Sequence, residues 1–252
     1  MEHFHPLVRD FWQGPFDGKR VHHGTHLSII LNETLDESER ITVLKTAGDG
    51  RTAVAMRPEV AAQFSEVLAS TEELDVNALL ARFVEEGIIL HGADNIYYLP
   101  ADSREPLFSE PTPSDIRQLS KHDAAQFAEF QAGVSEQDLD DAQVELDDWA
   151  VFGVIDANGR ILSAGSMYPW QQDSKLADIG VLTLAEARGR GHARRLVRAM
   201  CRHALNRGYE PQYRCQLDNV ASNILAGASG LTLFGQWQIV TPEIETGGSE
   251  AS

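Results

Sequence analysis

The sequence predicts an α/β fold, in which helices pack on a mixed sheet, from three observations. Several short runs alternate apolar and polar residues, as half-buried strands do. Asn158-Gly159 lies between two of these runs and indicates a hairpin. From residue 191 to 206, apolar residues recur at the helical spacing of three and four. Strands and helices that alternate in this way are typical of a sheet covered by helices.

The second half of the chain gives the clearer pattern of elements. Helices are predicted at 123–130, 191–206 and 219–228, the last with Asp218 as its N-cap. Strands are predicted at 149–155, 161–168, 176–184, 213–217 and 231–240. The first half predicts strands at 26–31, 41–44, 88–90 and 96–99, and helices at 58–68 and 76–84. No chemistry follows from the order of elements in the first half.

A proline-rich segment divides the chain into two predicted domains. Residues 100–113 contain four prolines and few periodic apolar positions, which predicts an extended connector. The predicted domains are residues 1–105, a smaller α/β domain, and residues 113–241. The tail from Thr241 is rich in Gly, Ser and Glu, and we expect it to be frayed.

The composition excludes several classes of protein. The 252 residues are 42% hydrophobic and 23% charged, which argues against general disorder. A formal net charge of −17 disfavours binding of nucleic acid or anionic lipid by the whole surface. No apolar run approaches the ~18 residues of a membrane span. The two cysteines, Cys201 and Cys215, show neither disulfide nor zinc spacing, so we expect a cytoplasmic protein without a metal site.

The most informative segment is 188–193, RGRGHA, which joins a predicted strand to the longest helix. Its two glycines allow a tight turn and a close approach to a ligand. The first amides of a helix have no intrahelical partner and, with the helix dipole, form an anion site. Eight arginines between Arg188 and Arg214 locally reverse the sign of an acidic chain. These features predict a site for a diphosphate or a phosphate-bearing cofactor.

The sequence of this segment excludes two common phosphate-binding loops and matches the pattern of a third. The Walker pattern is absent, and the Rossmann pattern fails because Arg194 occupies the place of its third glycine. The remaining R-x-x-G-x-A resembles the Q/R-x-x-G-x-G/A pyrophosphate loop of the GNAT superfamily of N-acetyltransferases. The segment from Asn219 is similar to the family's N-x-x-A/S…G-F, with Leu231 in place of Phe. The resemblance covers about residues 113–240.

The resemblance implies an acetyl-CoA-dependent N-acetyltransferase that moves an acetyl group directly to a primary amine of a small molecule or peptide. Its catalytic domain is residues 113–241; residues 1–105 are either a degenerate copy of the same fold or a substrate lid. The backbone of 181–183 pairs with the pantetheine arm, and the amides of 189–194 hold the pyrophosphate. The implied cofactor-binding residues are Val181, Leu182, Thr183, Arg188, Gly189, Arg190, Gly191, His192, Ala193, Arg194, Asn219 and Ser222.

The implied general base is Asp178. It is the one carboxylate in the strand 176–184, at a position where many family members carry Glu. Removing a proton from a lysine-like ammonium at pH 7 costs roughly 4–5 kcal/mol, which a base and a dry site reduce. The family's usual acid is a tyrosine seven residues after the Asn, and Ala226 occupies that position here. Tyr168, Tyr213 and solvent remain as candidate acids.

These assignments have structural alternatives. In the alternative interpretation, the loop is only a strand–helix turn with a solvated basic face. Asp178 is then a structural hydrogen-bonding group, and Asn219 is a residue of the first helical turn. Residues 136–148 contain seven acids, which form either a solvated face or, as the family suggests, a rim that attracts a cationic amine. The alternative function is a non-catalytic acyl-CoA-binding sensor or scaffold, which Ala226 and the short side chain of Asp178 favour.

Overall fold

The computed structural model describes residues 3–68, 74–111, 113–171 and 174–240. The chain forms two compact units. The larger unit combines Met1–Phe11 with Asn95–Phe234, and the smaller combines Trp12–Asp94 with Gly235–Ser252. The larger unit therefore begins its main segment before the predicted connector; the division at 105 and 113 remains a prediction about domains. The tail for which fraying is expected lies outside the described residues.

The strands of the described residues are numbered in chain order. They are β1 Lys19–His23, β2 Leu27–Leu31, β3 Ile41–Thr46, β4 Thr52–Met56, β5 Asp94–Tyr98, β6 Ile116–Gln118, β7 Ala150–Ile155, β8 Ile161–Pro169, β9 Leu176–Thr183, β10 Glu210–Gln216 and β11 Thr232–Ile239. The α-helices are α1 Pro6–Gln13, α2 Pro58–Gln63, α3 Ser65–Leu68, α4 Val76–Glu85, α5 Arg104–Ser109, α6 Ala124–Ala132, α7 Glu136–Ala142, α8 His192–Asn206 and α9 Val220–Ala228. None of the helices in these ranges has the length and apolar character that crossing a bilayer requires.

The smaller unit contains strands in the order β1-β2-β4-β3, followed by the end of β11. Strands β2 and β4 are parallel, and the other neighbours are antiparallel. The predicted helix 58–68 is interrupted at Phe64, which leaves helical geometry and buries its ring edge-on against Phe83, 5.1 Å away. The predicted strand 88–90 is wrong, because only Leu90 forms a bridge, to Val240.

The larger unit contains strands in the order β5-β10-β9-β8-β7-β6. Strands β6 to β9 are antiparallel neighbours, whereas β9 and β10 are parallel. Alternate residues of β9 face different cores: Ile179 packs with the apolar stripe of α8, and Leu182 packs with Phe127 and Phe130 of α6. Helices therefore cover both faces of a mixed sheet. The predicted α/β class is confirmed.

The predicted extended connector is wrong in its centre. Residues 104–109 form helix α5, and Leu107 on this helix is buried in the core of the larger unit. Pro106 lies in the first turn of α5, where amide groups have no intrahelical acceptor, so it removes no helical hydrogen bond. A proline that would interrupt the middle of a helix is therefore tolerated here.

Helix α7 approaches strand β9 without an intervening side chain. A Cβ atom added at Gly180 would lie 2.2 Å from the carbonyl oxygen of Ala142, the last residue of α7. The obstacle is backbone, so a side chain at position 180 displaces α7 from the sheet.

We expect Gly180→Ala to lower the free energy of unfolding by about 1–3 kcal/mol through overpacking. Urea denaturation measures the change. Gly227→Ala is the matched control, because a Cβ there meets nothing within 4 Å and the residue lies in helix α9. The control should be neutral or slightly stabilising. Equal stability of the two variants would contradict the close approach of α7.

Candidate functional site

Strands β9 and β10 run side by side only at their beginnings. Parallel pairing joins residues 176–178 to residues 210–212 and ends at the pair Asp178 and Gln212. Strand β9 continues to Thr183 and stays paired with β8 along its other edge. Within the described part of the chain, residues 179–183 therefore have no strand partner on the β10 side. Backbone groups at such an edge are available to a ligand that carries amide groups.

The predicted ligand-binding residues of β9, Val181 to Thr183, offer a ligand their backbone, because their side chains contact the protein. Leu182 is buried in a core, and its carbonyl oxygen accepts a hydrogen bond from the Ser163 hydroxyl at 2.7 Å. The Thr183 hydroxyl lies 2.8 Å from the Ser163 hydroxyl. Val181 is half-buried and packs towards the core below α8. The side chains of these three residues thus hold β9 in place.

The loop before α8 is open. Gly189 and Gly191 have φ angles of 73° and 77°, which is the left-handed region that glycine adopts without strain. A Cβ atom at either residue would meet nothing within 4 Å. No acceptor among the described residues bonds the amides of residues 189–194, since the first loop-to-helix bond is that of Arg195 to Gly191. These amides therefore remain available for an acceptor at the place where the sequence predicts an anion site.

The arginines around the loop differ in whether they form an ion pair. Arg195 forms a bidentate pair with Asp115 at 2.7 and 2.8 Å. Arg188 pairs with Asp138 at 2.9 Å and donates to the Thr183 carbonyl. Arg190 and Arg194 are exposed and make no ion pair with any residue that the structure describes. The latter two side chains supply the positive charge that is open to an anion.

His192 and Ala193 lie at the start of helix α8, directly after the loop glycines. His192 begins α8, and its Nδ1 lies 3.1 Å from Nη2 of Arg195. Ala193, the next residue, is half-buried. This arrangement places His192 beside the anion site.

Asn219 is the N-cap of helix α9. Its Oδ1 accepts the Ser222 amide at 3.0 Å, so the prediction of Asp218 as the cap is wrong by one residue. The Asn219 side chain thereby orients the start of α9 and keeps its own NH₂ group for another acceptor. The Ser222 hydroxyl bonds the Tyr213 hydroxyl, and burial raises the pKa of Tyr213 to about 12. Ser222 and Tyr213 are therefore directed to the core.

Asp178 is a buried carboxylate with several donors around it. Gln212 Nε2 donates to Oδ1 at 2.8 Å. Arg214 Nη2 donates to Oδ2 at 3.0 Å, and its Nε lies 3.2 Å from the same oxygen. The Tyr168 hydroxyl donates to Oδ2 at 3.3 Å. The structure thus places the predicted base in a hydrogen-bonded network at the point where β9 and β10 separate.

Sequence reasoning missed the partners of Asp178 on strand β10. Gln212 and Arg214 are polar residues two apart, and so lie on one face of their strand. Parallel pairing places Gln212 directly beside Asp178. The Arg214 guanidinium stacks on Trp170, with 3.7 Å between its central carbon and the ring centroid. The alternation of polar residues in 212–216 was the available signal for this arrangement.

A cleft of about 610 Å³ lies beside helix α7. The residues that line it are Leu139, Asp140, Gln143, Glu145, Asp148 and Tyr168. The sequence predicts an acidic segment here but neither the helix α7 nor the cleft. Asp148 is fixed in its wall, because Oδ2 accepts a hydrogen bond from the Ser166 hydroxyl. Tyr168 connects this cleft to the buried Asp178.

Position 226 offers no acid. Ala226 is fully buried in the core around α8. Tyr168 and Tyr213, the candidate acids from the sequence, lie on strands β8 and β10. Of these two, Tyr168 lines the cleft.

Comparison with known proteins matches the region that contains the loop and the cleft. A model of the Acetyltransferase (GNAT) family matches residues 116–227. No curated protein matches this chain.

Solved structures are similar at low sequence identity. A putative acetyltransferase of the GNAT family from Novosphingobium aromaticivorans is 18% identical, with a TM-score of 0.45 over 61% of this chain. The match spans 65% of that protein, slightly less than two thirds of its length. A GNAT-family acetyltransferase from Colwellia psychrerythraea is 17% identical, with a TM-score of 0.48 over 79% of this chain and 81% of its own. The family model, which spans strand β6 to helix α9, identifies residues 116–227 of this chain as an acetyltransferase domain of the GNAT family.

Proposed function

We propose that this protein is an acetyl-CoA-dependent N-acetyltransferase that transfers an acetyl group directly to a primary amine. Membership of residues 116–227 in the family supports acetyl transfer as the general reaction. The observation that carries the proposal is the open loop before α8 next to the unpaired edge of β9. An anion site and a strand edge without a strand partner suit a ligand that joins a diphosphate to an amide-containing arm.

The residues present fit coenzyme A. The amides of 189–194 face no acceptor of the described chain and would hold the pyrophosphate, with Arg190 and Arg194 as counter-charges. The edge of 181–183 would pair with the pantetheine amides, and the NH₂ group of Asn219 would donate to the same arm. Bound in this way, the donor supplies an activated thioester near Asp178.

The acidic cleft supports a cationic amine as the acceptor. Asp140, Glu145 and Asp148 line one side of it, and an alkylamine is an ammonium ion at neutral pH. Carboxylates that line a concave surface raise the local concentration of such a cation. Of the two explanations for the acidic segment, the acceptor rim is therefore the one that we adopt.

Asp178 is the proposed general base. It lies on β9 itself, at the residue where pairing with β10 ends. The Arg214 guanidinium compensates its charge in the buried site. The proposal for residues 1–105, a degenerate copy of the fold or a lid over the substrate, is unchanged.

The alternative function is a non-catalytic sensor or scaffold that binds acyl-CoA. The buried Ala226 favours it, because the usual acid is absent from that position. Turnover separates the two functions. The test measures thiol release from acetyl-CoA with spermidine, kanamycin, lysine methyl ester and a short peptide with a free N-terminus. Release above background with any of these supports the enzyme; background rates with all four, together with tight acetyl-CoA binding, support the sensor.

The loop glycines give a test of donor binding. Gly191→Ala adds a Cβ in the left-handed region and places it in the open space before α8. We expect a loss of acetyl-CoA affinity of about tenfold, from roughly 1–2 kcal/mol of backbone strain that displaces the amides. Isothermal titration calorimetry measures the dissociation constant.

Gly208→Ala is the matched control for this variant. Gly208 has a φ of 74° and open space at its Cβ, but it lies after the other end of α8. It should lose similar stability and keep the affinity of the wild type. Absence of acetyl-CoA binding by the folded wild type at millimolar concentration would reject the proposed function.

The cleft carboxylates give a test of acceptor binding. Neutralising two of them, in the variant Asp140→Asn with Glu145→Gln, should raise the KM for spermidine by about 5–30-fold, from ~0.5–1 kcal/mol per exposed charge. The KM for acetyl-CoA should not change, and the difference should shrink in high salt. Glu129→Gln, an exposed carboxylate on α6, is the control. An unchanged KM for every cationic acceptor would contradict the acceptor rim.

A further inference from the structure

The structure assigns to Tyr168 the transfer of a proton from the acceptor to the base. We propose that the Tyr168 hydroxyl is a catalytic residue that contacts the acceptor ammonium in the acidic cleft and relays its proton to Asp178. This inference rests on the proposed function, in which a cationic amine is acetylated. It adds a residue and a direction of proton movement that neither the loop nor the family match supplies.

Tyr168 is accessible from the acidic cleft, and Asp178 is not. Tyr168 lines the acidic cleft, and its hydroxyl donates to Asp178 Oδ2 at 3.3 Å. Asp178 is buried and is not among the described residues that line the cleft. Antiparallel pairing of β8 and β9 places the two residues directly opposite each other. A cation in the cleft therefore meets Tyr168, whereas the carboxylate of Asp178 lies outside the lining.

Both oxygens of the Asp178 carboxylate are already surrounded by donors. An ionised carboxylate has about four lone-pair positions, two on each oxygen. Gln212 Nε2 and Arg214 Nε lie 2.8 and 3.3 Å from Oδ1, and Arg214 Nη2 and the Tyr168 hydroxyl lie 3.0 and 3.3 Å from Oδ2. A direct proton transfer from an amine would have to displace one of these donors. A transfer along an existing hydrogen bond displaces none.

The donors around Asp178 differ in whether they can release a proton. The amide group of Gln212 is not acidic enough to give up a proton, and the guanidinium of Arg214 stays protonated as guanidinium groups do in proteins. A phenol, with an ordinary pKa near 10, is the donor that can release a proton while it gains another. Among the donors that surround Asp178, Tyr168 is the one suited to relay.

The carboxylate is held in a fixed orientation for this step. The Tyr98 hydroxyl donates to Oε1 of the buried Gln212, which orients the amide that binds Asp178. Stacking on Trp170 fixes the plane of the Arg214 guanidinium. Gln212 and Arg214 are thus positioning residues, since they act through Asp178 and do not line the cleft.

The charges around Tyr168 keep its hydroxyl protonated. The groups that face it are Asp178 on β9, Arg214 on β10, and Asp140, Glu145 and Asp148 from α7 and the segment after it. Burial and the charge of Asp178 raise the pKa of Tyr168 above its ordinary value, against the opposing effect of Arg214. The phenol thus holds the proton that it must pass to Asp178.

The proton moves in two linked transfers before the amine attacks the thioester. The ammonium gives one proton to the Tyr168 oxygen, and Tyr168 gives its own proton to Asp178 Oδ2. The neutral amine then forms the C–N bond with the thioester carbonyl carbon, the C–S bond breaks, and the departing sulfur takes the second amine proton. Asp178 later returns its proton to solvent through Tyr168. No oxidant, reductant or metal is needed.

The test is the pH dependence of Tyr168→Phe, with the acceptor that the wild type acetylates fastest among the four named amines. At pH 7 we expect kcat/KM to fall by about 100-fold, the usual contribution of a proton-transfer group. Near pH 9.5 more of the amine is already neutral, so the loss should shrink to a few-fold. The dissociation constant for acetyl-CoA should remain that of the wild type. A merely structural role predicts a loss that is the same at both pH values.

Two further variants complete the test. Tyr209→Phe removes a hydroxyl from a ring that packs on Trp149 outside the cleft, and should behave as the wild type. Asp178→Asn should show the pH dependence of Tyr168→Phe, and the double variant should be no slower than the slower single variant. A pH-independent loss in Tyr168→Phe, or additive losses in the double variant, would overturn the relay alone. Absence of turnover by the wild type would overturn the proposed function and the relay with it.

Discussion

The separation of β9 from β10 after Asp178 and Gln212 is the constraint on which the site depends. Before this pair, the two strands satisfy each other's backbone groups as any parallel strands do. After it, β9 is held by β8 alone, and its other edge is left to whatever ligand lies in the gap. An unpaired edge inside a sheet is costly unless water or a ligand satisfies it, so the separation supports the proposed binding site.

The same separation explains the network around Asp178. Asp178 is the last residue of β9 that is paired on both sides, and its neighbours Tyr168, Gln212 and Arg214 are close enough to bond its carboxylate. Its burial requires these partners, because an unpaired buried charge is strongly destabilising. The same hydrogen bonds therefore stabilise the fold where β9 and β10 separate and hold Asp178 for its proposed role. Selection for either would retain these residues.

Local sequence patterns predict the loop, whereas the cleft depends on contacts between distant parts of the chain. The left-handed glycines at 189 and 191 and the amphipathic stripe of α8 are properties of adjacent residues, so the sequence alone predicts the open anion site. The cleft is different, because it exists only where α7 packs on Gly180, and nothing near residue 140 indicates that contact. The capping residue of α9 was missed by one position because Asp218 and Asn219 are both good caps. The connector was misjudged because Pro106 falls in a first turn, where proline does not break a helix.

The absence of a tyrosine at position 226 is consistent with the roles proposed for Asn219 and Tyr168. Ala226 packs in the core, so in the proposed function helix α9 presents Asn219 and supplies no proton. The proton that leaves first in the proposed reaction is on the acceptor, and the proposed acceptor cleft is lined by Tyr168 and carboxylates. The proton that the departing sulfur needs is present on the amine once the C–N bond has formed. The proposed reaction, in which the first proton leaves on the cleft side of β9, therefore does not require a second acid on α9.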